Sequence, residues 1–315
     1  MWGKLENQVN RLFNVAADKI GNSRHEDKNK LRADGVKTHN QMAKSTGIYS
    51  FGTSNTYVSI WKELAQGSKN LKDIENISSR MVKSYLQRKV NDKNLNKYSS
   101  FTKICSAVTK LETALNQYAK TEGKDNKYDF QNTIDKVRRF ASHKLDKTDG
   151  NGRGFSDSKA VVEGIKNDDH KMVAQFQNET GCRISESAVI RESQFRGLGK
   201  DPYTGENIGV VNVLGKGGKE REVYLNVDTY NKLAQKVDEN GGLFKVGKTS
   251  YTNSVKASAY SVGQIYTGTH DFRHAWVQDR FREVQELGYS DEQTLASVSE
   301  EIGHVRPDIT EVYLK

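Results

Sequence analysis

Between Asp146 and Gly154 the chain reads Asp-Lys-Thr-Asp-Gly-Asn-Gly-Arg-Gly, and the period of its apolar residues changes across this segment. Three glycines within five residues, set among charges, break any helix or strand, so the segment reads as a linker between two bodies. Upstream, apolar residues recur at steps of three and four. Tyr57, Ile60, Trp61 and Leu64 form a stripe that stops at Gly67; Ile74, Ile77, Met81, Tyr85 and Leu86 form a second; Phe101, Ile104, Val108, Leu111, Leu115 and Tyr118 a third; Phe130, Ile134, Val137 and Phe140 a fourth. Each predicts a helix buried along one face. Residues 1–20 place Trp2, Leu5, Val9, Leu12 and Phe13 at helical spacing, and a charged connector follows to about residue 45.

Downstream the pattern is mixed. Met172, Val173 and Phe176 lead a helix toward Thr180. Val211 and Val213 alternate with polar residues, Gly215 to Arg221 interrupts, and Val223 and Leu225 resume, which predicts a β-hairpin with a glycine-rich turn. Thr269 is placed to cap a helix carrying Phe272, Ala275, Trp276 and Val284. Ser290 with Gln293 makes a capping box for a helix bearing Leu295, Val298 and Ile302, which ends at Gly303, and Pro307 opens a last short helix with Ile309 and Val312. The expected organisation is a helix and connector over residues 1–45, an all-α domain over 46–122, a helix and linker over 123–154, and a mixed α+β, mainly helical domain with a small antiparallel sheet over 155–315.

Charge divides at the same place. Residues 1–154 carry 29 Lys and Arg against 16 Asp and Glu, a balance of +13, while 155–315 carry 20 against 24, a balance of −4. A localised positive field suits a polyanion, because each cation set near a phosphate releases counterions; a solvated basic surface has the same composition. With no apolar run of about 18 residues and an N-terminus unlike a secretory leader, neither a membrane span nor export is expected. The two cysteines, Cys105 and Cys182, are far apart and outside any CxxC spacing, so neither a disulfide framework nor a structural zinc site is expected, and a reducing cytoplasm fits.

Taken singly, the polar motifs are ambiguous. Gly215-Lys216-Gly217-Gly218-Lys219 lacks the spacing and the hydroxyl of a nucleotide phosphate loop and reads as a hairpin turn with solvated lysines. His270 and Arg273, at i and i+3 in a first helical turn, suit either an anion or a surface ion pair. Gly303-His304 and Tyr313 are explained by a helix C-cap and a half-buried phenol.

Their order is what distinguishes them: Thr180-Gly-Cys-Arg183-Ile-Ser-Glu186, a hairpin with Lys216 and Lys219, His270-x-x-Arg273-His274, Gly303-His304, and Tyr313 nine residues after that histidine. This series resembles the tyrosine recombinase (phage-type integrase) family over roughly residues 51–315. The resemblance implies an N-terminal helical core-binding, SAM-like domain over 46–122 and a catalytic domain over 155–315. It implies a site-specific recombinase in which Arg183, Arg273 and His304 bind the scissile phosphate, Tyr313 attacks it to form a 3′-phosphotyrosyl link, Lys216 is the general acid for the 5′ oxygen, and His270 takes part in proton transfer. Lys216 is preferred to Lys219 because it directly follows the strand. Glu186, at i+3 from Arg183, is expected to orient that arginine rather than touch DNA. No cofactor and no metal are implied.

The implied partners are double-stranded DNA with a specific core site, a homotetramer on two duplexes, and accessory DNA-bending or directionality factors, in a nucleoid-associated, cytoplasmic setting on a mobile element. The sequence departs from the family at Cys182 and Phe272, where leucine is usual, and both substitutions are apolar. Residues 195–202 read as a loop insertion. Many relatives continue past the tyrosine into a helix that docks on a neighbouring subunit, so here exchanged contacts are expected from residues 1–45 or the helical domain. Rival readings are a type IB topoisomerase-like relaxing enzyme and a catalytically silent DNA-binding regulator.

Overall fold

The structure, a computed structural model, describes residues 1–16, 19–147, 153–215, 218–304 and 306–314. The chain divides into two compact units, Met1–Asp149 and Gly150–Lys315, so the division falls inside the glycine-rich segment, of which residues 148–152 lie outside the described residues.

The first unit is all α: α1 Leu5–Ala16, α2 Arg24–Ala33, α3 His39–Ser45, α4 Phe51–Gln66, α5 Ser79–Val90, α6 Tyr98–Thr121 and α7 Gln131–Lys144. The long α6 is its axis, because Phe101, Ile104, Val108, Leu111 and Leu115 are all buried, and α1, α4, α5 and α7 pack around it. Trp61 of α4 is fully buried and its indole N–H donates to the Ala107 carbonyl of α6 at 2.7 Å, so one side chain supplies both apolar area and a satisfied polar end. Two stripe residues do not go inward: Trp2 is 87% and Phe140 54% exposed.

The connector expected over residues 21–45 is instead two helices. Ser23 caps α2 by accepting the Glu26 N–H, and Thr38 with Gln41 forms a capping box on α3. At the other end of α3 the buried Lys110 ammonium donates to the Ala43 and Thr46 carbonyls, a cation at a helix C-terminus. Val9 and Leu12 of α1 are fully buried in the same core, so the N-terminal segment is part of the unit.

The second unit is mixed, with α8 Ser158–Glu163, α9 Asp168–Thr180, α10 Ile184–Ser187, β1 Val189–Arg191, β2 Phe195–Lys200, β3 Asn207–Leu214, β4 Glu220–Asn226, α11 Val227–Glu239, β5 Leu243–Lys245, α12 Lys248–Ser261, α13 Asp271–Glu286 and α14 Asp291–Glu301, closed by short 3-10 turns at Pro307–Ile309 and Glu311–Tyr313. The expected hairpin is β3–β4, paired from Ile208–Asn226 to Leu214–Glu220, with Val211, Val213, Val223 and Leu225 on the buried face. Residues 195–200, read from sequence as a loop insertion, form the third strand, antiparallel to β3. The apolar positions there are thin, Phe195 and Leu198 only, and pairing rather than pattern makes the strand. Its seat depends on Tyr230 of α11, which lies flat on β3: a Cβ at Gly209 would come within 2.1 Å of that ring, and the phenol oxygen accepts the Gly197 N–H at 3.0 Å. A separate two-stranded antiparallel sheet joins β1 to β5.

Helices α9 and α13 pack together under the sheet, which sets the C-terminus of α9 against the N-terminus of α13. Arg280 of α13 fixes the far end by reaching Asp201 and Glu301 at 2.8 Å and Glu283 at 2.7 Å.

Candidate active site

Three helix ends meet at one point of the second unit. Helix α9 stops at Gly181, whose backbone is left-handed at φ 62°, and a Cβ there would lie 2.7 Å from the Trp276 ring. Glycine is therefore required both for the turn and for the close approach of α13. The turn delivers Cys182, fully buried, and Arg183. Helix α13 begins at Asp271, whose carboxylate accepts from Thr267 N (2.6 Å), Thr267 Oγ1 (2.6 Å) and Gly268 N (3.0 Å), and thereby fixes His270 and Arg273 on the first turn. The cap position is His270 and not the expected Thr269. Helix α14, opened by the Ser290–Gln293 capping box, ends before Gly303 at φ 75°, and His304 follows with its N–H on the Ser299 carbonyl at 2.8 Å.

Arg273 is the centre. It is fully buried; Nη1 donates to the Gly181 carbonyl at 2.8 Å and Nη2 to the Ile302 carbonyl at 2.7 Å, so it ties the ends of α9 and α14 to α13. Its Nε has no partner, and among the described residues no carboxylate pairs with it. Burial, and then the charge of Arg183, lowers its pKa to about 10, which leaves it a cation at neutral pH. A buried cation without a counter-ion is costly, and an anion arriving there would relieve the cost.

Tyr313 lies over it. The phenol ring centroid is 5.7 Å from the Arg273 guanidinium carbon, 4.4 Å from the His274 ring, and 5.7 Å from each of the His270 and His304 rings. Its hydroxyl is 3.1 Å from His270 Nε2. The backbone is pinned by Gln278 Nε2, which donates to the Tyr313 carbonyl at 2.8 Å. His304 approaches Arg273 Nη2 through Nε2 at 3.3 Å and Thr310 Oγ1 through Nδ1 at 2.9 Å.

Arg183 is partly exposed and its Nη1 donates to Glu186 Oε1 at 2.9 Å, while its backbone N–H donates to Glu186 Oε2 at 2.9 Å. Glu186 also accepts from Arg221 Nη2 at 2.8 Å. Burial pushes the Glu186 carboxyl up, but the Arg221 hydrogen bond and charge and the two Arg183 bonds outweigh it and hold it down to about 2. It stays ionised and acts as an orienter of two arginines.

The structure thus brings together Arg183, His270, Arg273, His304 and Tyr313. Lys216, with Gly217, lies outside the described residues; Lys219 beyond the turn is exposed and lines a cleft with Arg221, Gly303 and His304. Sequence reasoning gave no role to three neighbours. Arg221 of β4 spans Glu186 and the Glu301 carbonyl (Nε, 2.9 Å), and its only signal was its place five residues past Lys216 in the same hairpin. His274 packs on the Tyr313 phenol, and Thr310 holds His304.

All three histidines are neutral. Burial lowers His270 to about 3, followed by the charges of Arg273, His274 and Arg183; burial and then Arg153 lower His274 to about 4; burial and then Arg273 and Arg183 lower His304 to about 4. Each is depressed below its unfolded value of about 6.5, so the stabilisation is present above that pH and is lost as pH falls toward 4, where the unfolded chain binds protons that the fold does not. The second unit is expected to lose up to about 1.4 kcal/mol per pH unit for each histidine in this window, less where solvent screens the group. Urea unfolding between pH 7 and 4.5 measures this, and His274→Gln should remove one proton from the slope.

No family model and no curated protein matches the sequence. Among solved structures, the XerH site-specific recombinase bound to its difH substrate in a pre-cleavage complex matches at a TM-score of 0.63 and 15% identity, over 98% of this chain and 91% of that one. The chain has the tyrosine-recombinase fold. The post-cleavage complex of XerH with a palindromic difH substrate gives 0.62, 15%, 98% and 92%. The integrase of transposon Tn1549 in complex with a circular intermediate DNA gives 0.50, 13%, 97% and 94%. The all-α first unit and the mainly helical second unit with small antiparallel sheets are those of this fold. Among the described residues, no helix is long and apolar enough to cross a membrane.

Proposed function

We propose that the chain is a site-specific DNA recombinase that cleaves and rejoins duplex DNA through a 3′-phosphotyrosyl intermediate. The observation that carries this reading is the Tyr313 hydroxyl 3.1 Å from the neutral His270 imidazole, above the buried, unpaired charge of Arg273. A phosphodiester resists attack because its non-bridging oxygens are negative and its leaving alkoxide is poor. Arg273 and Arg183 would take the two non-bridging oxygens, for which a planar fork is suited, with His304 as a further donor. The Tyr313 oxygen attacks phosphorus, its proton passes to His270 Nε2, and the bond to the 5′ oxygen breaks as Lys216 donates a proton to it. One phosphodiester is exchanged for another, so the step needs no ATP and reverses when a 5′ hydroxyl attacks the phosphotyrosine.

The described members of the site, Arg183, His270, Arg273, His304 and Tyr313, are brought together within one chain, which favours cleavage in cis. The +13 balance of residues 1–154 suits the first unit as the sequence-independent DNA grip. The family resemblance implies a tetramer on two duplexes, and because exchange of nearly isoenergetic bonds has no direction of its own, contacts between subunits or accessory factors would set it.

The site can be isolated from genomic DNA flanking the coding region by recovering fragments that stay covalently bound after denaturation. Two such duplexes mixed with the protein should yield four-way junctions without ATP or magnesium. Relaxation of site-free supercoiled plasmid with no junctions at any concentration would favour the topoisomerase-like reading, and neither activity the regulator.

The hairpin acid is testable by leaving-group chemistry. Lys216→Ala should cut cleavage by roughly 10²–10⁴. A 5′-bridging phosphorothiolate, whose sulfur leaves without a proton, should restore it. Rescue of Lys219→Ala in place of Lys216→Ala would exchange the two roles.

A further inference from the structure

The His304 ring sits between two groups of opposite habit. On one side Arg273 Nη2, which can only donate, is 3.3 Å from Nε2; on the other the Thr310 hydroxyl, which can donate or accept, is 2.9 Å from Nδ1. Thr310 is fully buried, and its Oγ1 is 2.7 Å from the Ser299 hydroxyl, itself 98% buried and 2.5 Å from the Leu295 carbonyl. Neither hydroxyl has water to turn to, so the direction of each hydrogen bond is coupled to the next.

A neutral imidazole carries one proton, and the chain then has two consistent settings. In the first, Arg273 donates to Nε2, Nδ1–H donates to Thr310, Thr310 to Ser299, and Ser299 to the Leu295 carbonyl. Every donor in it has an acceptor. In the second, Ser299 donates to Thr310, Thr310 donates to Nδ1, and Nε2–H points at Arg273, which places two donors together unless an acceptor lies between them.

We propose that the Thr310–Ser299 hydroxyl pair is a reversible relay that sets the tautomer of His304, holding Nδ1–H in the free protein and permitting Nε2–H when an oxyanion lies between His304 and Arg273. The balance is simple: as the partly exposed ring swings away from Thr310 the Nδ1 proton is released to solvent and one from solvent is taken up at Nε2, the net charge is unchanged, and each hydroxyl keeps its own hydrogen and turns. Thr310 and Ser299 are positioning residues, since they touch no reacting atom. The inference rests on the phosphate-binding reading of the site.

The test is nitrogen NMR of the full chain labelled at histidine, near pH 7, with orthovanadate as the oxyanion probe. The free protein should show the Nδ1–H tautomer at His304, and vanadate should convert it to Nε2–H. Thr310→Val, which can neither accept nor donate, should leave the free protein with a mixture of tautomers instead of Nδ1–H alone, because Nδ1–H loses its acceptor while Nε2–H still faces Arg273, and Thr310→Ser should restore the full conversion. Ser299→Ala is the second variant: it removes the acceptor to which Thr310 donates in the first setting, so the Thr310 hydrogen should turn to Nδ1 and raise the share of Nε2–H in the free protein. Nε2–H in the free wild type, or an unchanged conversion in Thr310→Val, overturns the relay. Vanadate binding at Arg273 without a tautomer change overturns the relay alone, whereas no vanadate binding at all removes the phosphate reading as well.

Discussion

Tyr313→Phe should form no denaturant-resistant adduct with a nicked suicide duplex carrying the site, a loss of at least about 10⁴-fold, while it still folds and binds the duplex. The fold should hold because the two partners of the hydroxyl keep their places without it: His270 stays neutral and partly exposed, and Arg273 keeps the Gly181 and Ile302 carbonyls. The ring contacts that seat the residue, the His274 ring at 4.4 Å and the Arg273 guanidinium carbon at 5.7 Å from the ring centroid, are kept in phenylalanine. The stability change should therefore stay within about 1 kcal/mol. A variant that still captures DNA would move the nucleophile elsewhere, and one that unfolds would mean that the hydroxyl holds the turn. His270→Gln separates base from nucleophile: it should slow capture by roughly 10²–10⁴ yet leave the adduct detectable on long incubation.

How far sequence reached is clearest at particular residues. The apolar stripes of α4, α6 and α7 were legible because one face of each packs on a single core, and period alone reports that. The stripe through Phe140 was misleading at its last member, since the helix turns it outward near its end. Helices α2 and α3 were missed although Ser23 and Thr38 stand three residues before Glu26 and Gln41, the spacing of caps; α2 is so polar that no stripe drew attention to the caps. Strand β2 was missed because two glycines and two basic residues dominate it and its pairing with β3 is a tertiary fact. In the site, Arg183, His270, Arg273, His304 and Tyr313 could be picked by their order in the chain, since each lies at the end of an element. Arg221, His274 and Thr310 act through contacts across the fold, with Glu186, Tyr313 and His304 in turn, and spacing does not encode those contacts.

Arg273→Lys is the substitution in which charge and geometry come apart, and cleavage should fall by roughly 10³–10⁵, or about 4–7 kcal/mol of transition-state stabilisation. Lysine keeps the cation but offers three donors from one point, where arginine presents a plane. It cannot hold the Gly181 and Ile302 carbonyls together and still face a phosphate. Each carbonyl left unpaired costs about 1–3 kcal/mol, so part of the effect falls on the fold, and the urea midpoint of the second unit has to be measured beside the rate. Chemistry and fold separate further in Arg273→Ala, which leaves a guanidinium-shaped space beneath Tyr313. Low millimolar guanidinium should restore part of the cleavage there and ammonium should not, because only the planar ion bridges the two carbonyls and still offers a fork to the phosphate. If Arg273→Lys cleaves within tenfold of the wild type, the buried charge alone suffices, and Arg183, partly exposed and steered by Glu186, becomes the residue that grips the phosphate.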